Sequence, residues 1–224
     1  MKCAVSRCVL ASVLLLGAPL AEAADYWYAL VGLGYGKIEF YPTDFASSNN
    51  NPQIGPASSE TIRDSDLGFT GALGVQFNRN WAAELNFIQL GKFSYKYTYG
   101  ANTQEDIYEV SGWGVSLLPT IPLTRNFSLF GRLGVLAAQT RLTLRNPALP
   151  SITPGAPTFD GSIQAVQVNT TTFLSGFGAQ YFFNRDFGVR VEYQNLGAVG
   201  TSSCGTCTGR ANAQFLSGNA IFTF

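Results

Sequence analysis

No histidine occurs among the 224 residues, and only 12% of them are charged. Without histidine the chain lacks the most frequent general base and the commonest nitrogen ligand of metals. Lysine plus arginine and aspartate plus glutamate balance at 14 each. A net charge of zero carries no electrostatic footprint for nucleic acid. Long apolar runs are also scarce. The run "VLASVLLLGA" follows Lys2 and Arg7 and precedes "AEA" at 21–23. That order is a secretory signal peptide over residues 1–23, with the mature chain starting at Ala24. A retained membrane helix is disfavoured, because a span needs roughly 20 apolar residues. Cys3 and Cys8 leave with the signal, and Cys8 lies before the apolar run, so it is no lipoprotein anchor. No other stretch suits a helical span, so any membrane insertion must use strands.

What the chain does have is glycine (24 residues) and aromatic side chains (13%). The mature part, 24–224, reads as one domain, without an internal repeat or a dividing linker. Runs rich in aromatic and β-branched residues recur at hairpin spacing. They predict eight strands near 26–38, 66–78, 81–91, 108–120, 127–141, 170–183, 187–196 and 212–224. Short polar turns, "NRN" (78–80), "PLTRN" (122–126) and "NRD" (184–186), alternate with long polar segments at 41–64, 92–107, 142–169 and 197–211. Tight turns at one end and long loops at the other are the layout of an outer-membrane barrel. A soluble sandwich can share that layout.

Side-chain parity separates the two, since successive residues of a strand point to opposite faces. One face carries Leu67, Phe69, Leu73, Val75 and Phe77, then Trp81, Leu85 and Phe87, then Trp113, Val115 and Leu117. It continues with Leu129, Leu133 and Val135, Phe173, Phe177 and Tyr181, Val189 and Val191, and finally Leu216, Ala220 and Phe222. The mid-strand charges Glu84, Arg132, Arg190 and Glu192 all fall on the opposite face. A lipid-facing Arg or Lys near the bilayer midplane would cost roughly 2–4 kcal/mol, which accounts for that segregation. The reading is an all-β, eight-stranded antiparallel up-and-down transmembrane barrel whose charges face the lumen. Lys37 and Glu39 break the rule at the end of the first strand. A tilted strand needs only about 9–11 residues to cross, so they are read as lying above the membrane.

An eight-stranded lumen is just wide enough to be filled by side chains. Many inward positions are small (Gly68, Ala72, Gly74, Gly112, Gly114, Gly134, Gly176, Gly178, Gly188), leaving room for the few large polar groups. Glu84, Arg132 and Arg190 lie at similar depth from the short-turn end. With Glu192 they make two acids and two bases that can pair into a neutral network. Such a network either plugs the barrel and holds its register or acts as a gate for small solutes.

The stretches "WAAELNFIQLG", "FSLFGRLGV" and "FLSGFGAQYFFNRDFGVRVEYQ", with the opening "YWYALVGLGYG" and terminal "FLSGNAIFTF", resemble the eight-stranded transmembrane domain of the outer membrane protein A family. The resemblance covers nearly the whole mature chain. It implies inward acids and an arginine that pair inside the barrel, and Glu84 and Arg190 match those places. Gln180 stands where the family has an acid and Leu118 where it has a lysine, so Arg132 with Glu192 would complete a different network. The periplasmic cell-wall-binding domain of longer relatives is not expected, since the sequence stops at Phe224. Phe224, with Phe222 two before it, resembles the terminal signal read by the outer-membrane assembly machinery.

No enzymatic chemistry is expected, because barrel hydrolases and acyltransferases use a histidine. No cofactor or metal is expected either. "CGTC" at 204–207 has no second ligand pair for tetrahedral zinc and no following helix for a redox motif. A local Cys204–Cys207 disulfide in an oxidising compartment is the expectation. The partners expected are outer-membrane lipid, the assembly machinery and a surface or host ligand met by the loops, with the barrel a monomer and no nucleic acid bound. Two functions stay open: a structural or surface-interaction protein acting through its external loops, and a narrow channel for ions or small solutes.

Overall fold

The computed structural model describes residues 26–41, 50–51, 55–56, 59–99, 102–145, 164–202 and 208–224. The expected signal peptide, the expected start at Ala24 and both Cys204 and Cys207 lie outside the described residues. Eight long strands form the wall: β1 (Tyr26–Phe40), β2 (Ser65–Asn78), β3 (Trp81–Tyr99), β4 (Asn102–Pro122), β5 (Phe127–Arg145), β6 (Gln164–Phe182), β7 (Phe187–Thr201) and β8 (Gly209–Thr223). Each pairs antiparallel with its sequence neighbours, and β1 pairs with β8, so the sheet closes on itself. The closing seam runs to the last residue: Phe224 N–H donates to Trp27 O (2.9 Å), and Trp27 N–H donates back to Phe224 O (3.3 Å). Closure removes the sheet edges, the condition for a sheet to cross lipid.

Parity sorts the side chains as a transmembrane barrel requires. Leu33, Leu67, Trp113, Phe173, Phe177 and Val191 stand on the outside, between 59 and 75% exposed. Glu84, Arg132, Arg190 and Glu192 are each at most 2% exposed and point inward. Val75 keeps the outward parity but is only 9% exposed, lying between Trp27 and Ala83 of the neighbouring strands. Lys37 and Glu39 sit on the outer face at the long-loop end of β1, 3.6 Å apart.

The strands are longer than the sequence reading placed them. Residues 92–99 and 102–107, read as a loop, are a continuous hairpin extending β3 and β4. The segments read as loops at 142–169 and 197–211 are strand through Arg145, from Gln164, through Thr201 and from Gly209. Within 41–64, Ser59–Arg63 is a short strand paired with Ser94–Thr98, and Asn50–Asn51 pairs with Gly55–Pro56.

At 92–99 the difference turns on a bulge. Without one, Lys92 and Lys96 would share the inward parity of Leu90, which argues for ending the strand at Gly91. The ladder instead shifts between Leu90 and Lys92. Beyond the bulge both lysines point outward, while Phe93 and Tyr95 turn in. A bulge leaves one backbone group unpaired, and here the Lys92 N–H donates to Asp66 Oδ2 at 2.7 Å. That bond, first among several causes, holds the Asp66 carboxyl below its ordinary range, and Arg63 adds to the effect. A side chain at Gly91 would lie 2.4 Å from the same oxygen, so the bulge needs glycine. Cross-strand pairs Lys92–Glu109 (3.2 Å) and Lys96–Glu105 (3.8 Å) then decorate the extended hairpin. A second bulge lies between Asn195 and Gly197, where Gly197 adopts φ +70° and its N–H donates to Asn195 Oδ1.

Candidate functional site

Register builds the site in the lumen. Glu84 lies across from Gly74 on β2 and Ser116 on β4. Arg132 faces Gly176, and Glu192 lies between Gly178 and Ser217. These three charged side chains therefore have a small residue beside them and extend into the barrel, while Arg190 lies between Gln180 and Asn219. Glu84 is the hub. Its Oε2 accepts from Arg132 Nη2 at 2.5 Å, and its Oε1 accepts from Arg190 Nη1 at 2.5 Å and from the Tyr28 hydroxyl at 2.7 Å. Arg132 also donates to Glu192, from Nε to Oε1 and from Nη2 to Oε2. Arg190 Nη2 donates to Gln180 Oε1 at 2.8 Å, and its guanidinium stacks on Phe130, 4.6 Å from the ring centroid. Two acids thus meet two guanidiniums in one network of zero net charge. Isolated burial of any member would cost several kcal/mol, so mutual pairing is what lets the four share the buried lumen.

The four charged residues expected in the network are joined in it, and Gln180 is tied to it through Arg190. The connectivity differs from two separate pairs, because Glu84 bridges both arginines. Leu118 is buried in the lumen beside Ala82. Three features were missed. Tyr28 shares the inward parity of Gly32 and Gly34, and Phe130 that of Arg132, so the signal for both was present in the alternation. Third, the small inward residues make room for aromatics as well as charges: a Cβ on Gly74 would fall 2.2 Å from Tyr28 Cζ, and one on Gly178 2.6 Å from Phe130 Cζ.

Apolar side chains close the lumen on both sides of the network. Toward the long-loop end Ile88, Leu90, Phe93, Leu136, Leu174, Leu196 and Phe215 form one buried cluster, each at most 1% exposed. Tyr108 joins it and ties the top together, its hydroxyl within hydrogen-bonding distance of the Val199 and Gly209 carbonyls. Toward the short-turn end Leu30, Ala72, Leu118, Phe130 and Ile221 form a second cluster, with Tyr26 and Phe182 packed against it. Phe222 and Phe224, the residues of the expected terminal signal, are on the outer surface, 48 and 76% exposed, and Phe222 packs on Phe187 (ring centroids 5.4 Å apart). Among the described residues no group of three or more Cys, Asp or Glu is arranged to hold a metal ion.

A closed ring of eight strands, apolar outside and plugged by a neutral charge network, defines an outer-membrane β-barrel. The OmpA-like transmembrane domain family matches residues 22–221, and the chain belongs to that family. No curated protein sequence matches it. Among solved structures it is similar to Ail, the attachment invasion locus protein of Yersinia pestis, in complex with the heparin analogue sucrose octasulfate. That match is 13% identical, covers 88% of this chain and 99% of that one, and has a TM-score of 0.47. Neisserial surface protein A is 13% identical over 88% of this chain and 97% of its own, with a TM-score of 0.46. The outer membrane protease OmpT of Escherichia coli is 11% identical over 90% and 97%, with a TM-score of 0.42. At these identities the likeness is one of fold.

Proposed function

We propose that this protein is a sealed, non-enzymatic, monomeric barrel that works as a structural and surface-interaction protein through its external end. One observation carries the reading: the lumen is blocked by the Glu84–Arg132–Arg190–Glu192 network between two apolar clusters. Ions would have to break buried pairs and then wet an apolar plug to pass. The outer ends of β3 and β4 rise as a hairpin whose lysine and glutamate pairs face outward, which gives the cell surface a stiff platform for loop contacts with a surface or host ligand. The terminal Phe222 and Phe224 serve delivery to the assembly machinery, and outer-membrane lipid covers the wall. A Cys204–Cys207 disulfide would pin the tip of the last external loop. Planar bilayers test the sealed barrel, and purified protein should give no steady conductance. A deletion strain should lose surface adhesion or gain detergent sensitivity. Large, steady currents from the unmodified protein would install the channel reading instead.

A further inference from the structure

Each of the three short turns completes its own hydrogen bonds without its arginine. Asn78 Oδ1 accepts from Asn80 N–H (2.8 Å), Thr124 Oγ1 from Phe127 N–H (3.0 Å), and Asn184 Oδ1 from Phe187 N–H (2.7 Å). The residue following each acceptor is nevertheless arginine: Arg79, Arg125 and Arg185. All three are exposed, and their side chains make no hydrogen bond or ion pair with the described residues.

They converge on one mouth. Arg79 and Arg125 line a cavity of about 790 Å³ at the short-turn end of the lumen, together with Gln76, Thr120, Asn126 and Gln180. No carboxylate lines it. A neighbouring recess of about 560 Å³ shares Arg125 and adds Arg185, this time with Asp186 alongside. The vestibule is blind. Tyr26, Gln76, Gln180 and Phe182 form its inner wall, and the gap they border, which reaches Arg190, is too narrow for water. Anions can therefore enter without passing.

We propose that this vestibule is a phosphate-binding site, with Arg79 and Arg125 as its forks and Arg185 on the rim, and that its occupant is the headgroup of a periplasmic-leaflet phospholipid. Two guanidiniums without an ion-pair partner among the described residues, lining a cavity that holds no carboxylate, focus a positive potential. Arginine presents a planar fork that matches phosphate oxygens, which lysine does not. The depth selects the source. Trp27, Trp81, Phe183, Phe222 and Phe224 are exposed around the same end, and such aromatic belts sit at the membrane–water interface. The turns beyond the belt are then level with the headgroups, where phosphodiesters are the abundant anion.

The full chain, folded in a phosphate-free maltoside detergent, should bind short-chain dihexanoyl phosphatidylglycerol saturably in a phosphorus NMR titration. Arg79→Gln with Arg125→Gln should weaken binding by roughly tenfold or more, as expected for lost charge-assisted bonds. Arg79→Lys with Arg125→Lys should fall between. Heat-modifiable mobility confirms that each variant is folded, which exposed turn positions allow. Inorganic phosphate is titrated in parallel. If it binds less well than the lipid and is lost in the same variant, the headgroup is the occupant. Equal or tighter binding of free phosphate would overturn the lipid assignment in favour of a soluble anion. No saturable binding of either probe, or binding that survives Arg79→Gln with Arg125→Gln, would overturn the site itself.

Discussion

Removing the Glu84 charge tests the lumen network most directly. Glu84→Gln keeps the shape of the side chain, but it takes the network from neutral to a net charge of +1 and turns an amide NH₂ toward a guanidinium. The carboxylate makes three contacts, to Tyr28, Arg132 and Arg190, all within 2.7 Å. Removing one partner of a buried ion pair costs about 3–5 kcal/mol. Arg190→Gln should cost a similar amount, plus about 1 kcal/mol for the stacking on Phe130. The double variant leaves Arg132 and Glu192 paired and the lumen neutral again. It should therefore be far more stable than two independent losses allow, with a coupling on the order of 3 kcal/mol. Urea unfolding of protein refolded into vesicles can read this, because Trp27, Trp81 and Trp113 all stand on the outer face at 43–59% exposure and their fluorescence reports insertion. The exposed pair Lys92–Glu109, with the lysine 73% exposed, sets the baseline, since such pairs couple by about 0.2–1 kcal/mol. A Glu84–Arg190 coupling no larger than that baseline would refute the claim that buried pairing holds the barrel.

Phe215→Ala should hollow the outer apolar cluster and cost about 3–5 kcal/mol in the same assay; an unchanged midpoint would mean that Phe215 is not packed there. Gly74→Val should push Tyr28 off Glu84, given the 2.2 Å approach of its Cβ, and lower the unfolding midpoint, whereas a neutral result would count against the seated Tyr28. Asp66→Asn should speed hydrogen exchange at the Lys92 amide. Because the folded carboxyl titrates below its ordinary range, its stabilisation is present above about pH 4 and fades as pH falls through the folded value. Wild type and variant should therefore converge in acid; a difference that persists there would show that charge is not its cause. Phe224→Asp should cut the amount of barrel reaching the outer membrane in cell fractionation, and unchanged surface levels would remove the terminal-signal argument.

The alternation of side chains along each strand is enough by itself to specify the barrel. Lipid outside and a packed lumen inside impose opposite chemistry on the two parities. A single sequence therefore reveals which face carries Arg132 and Glu192, and that face can only look inward. Strand number and the short turns followed from the same pattern. Alternation also contained Tyr28 and Phe130, but naming an inward aromatic does not say which charge it touches. That depends on register across strands far apart in sequence: Tyr28 and Glu84 are 56 residues apart, and Arg190 and Glu84 are 106. Only closure of the sheet brings them together and makes Glu84 the shared partner of two arginines. The bulge at Gly91 was equally hidden, because one extra residue reverses parity and makes a continuing strand look like its end. The Asp66 carboxylate that accepts the freed amide comes from the neighbouring strand, so tertiary pairing decided where that strand stopped.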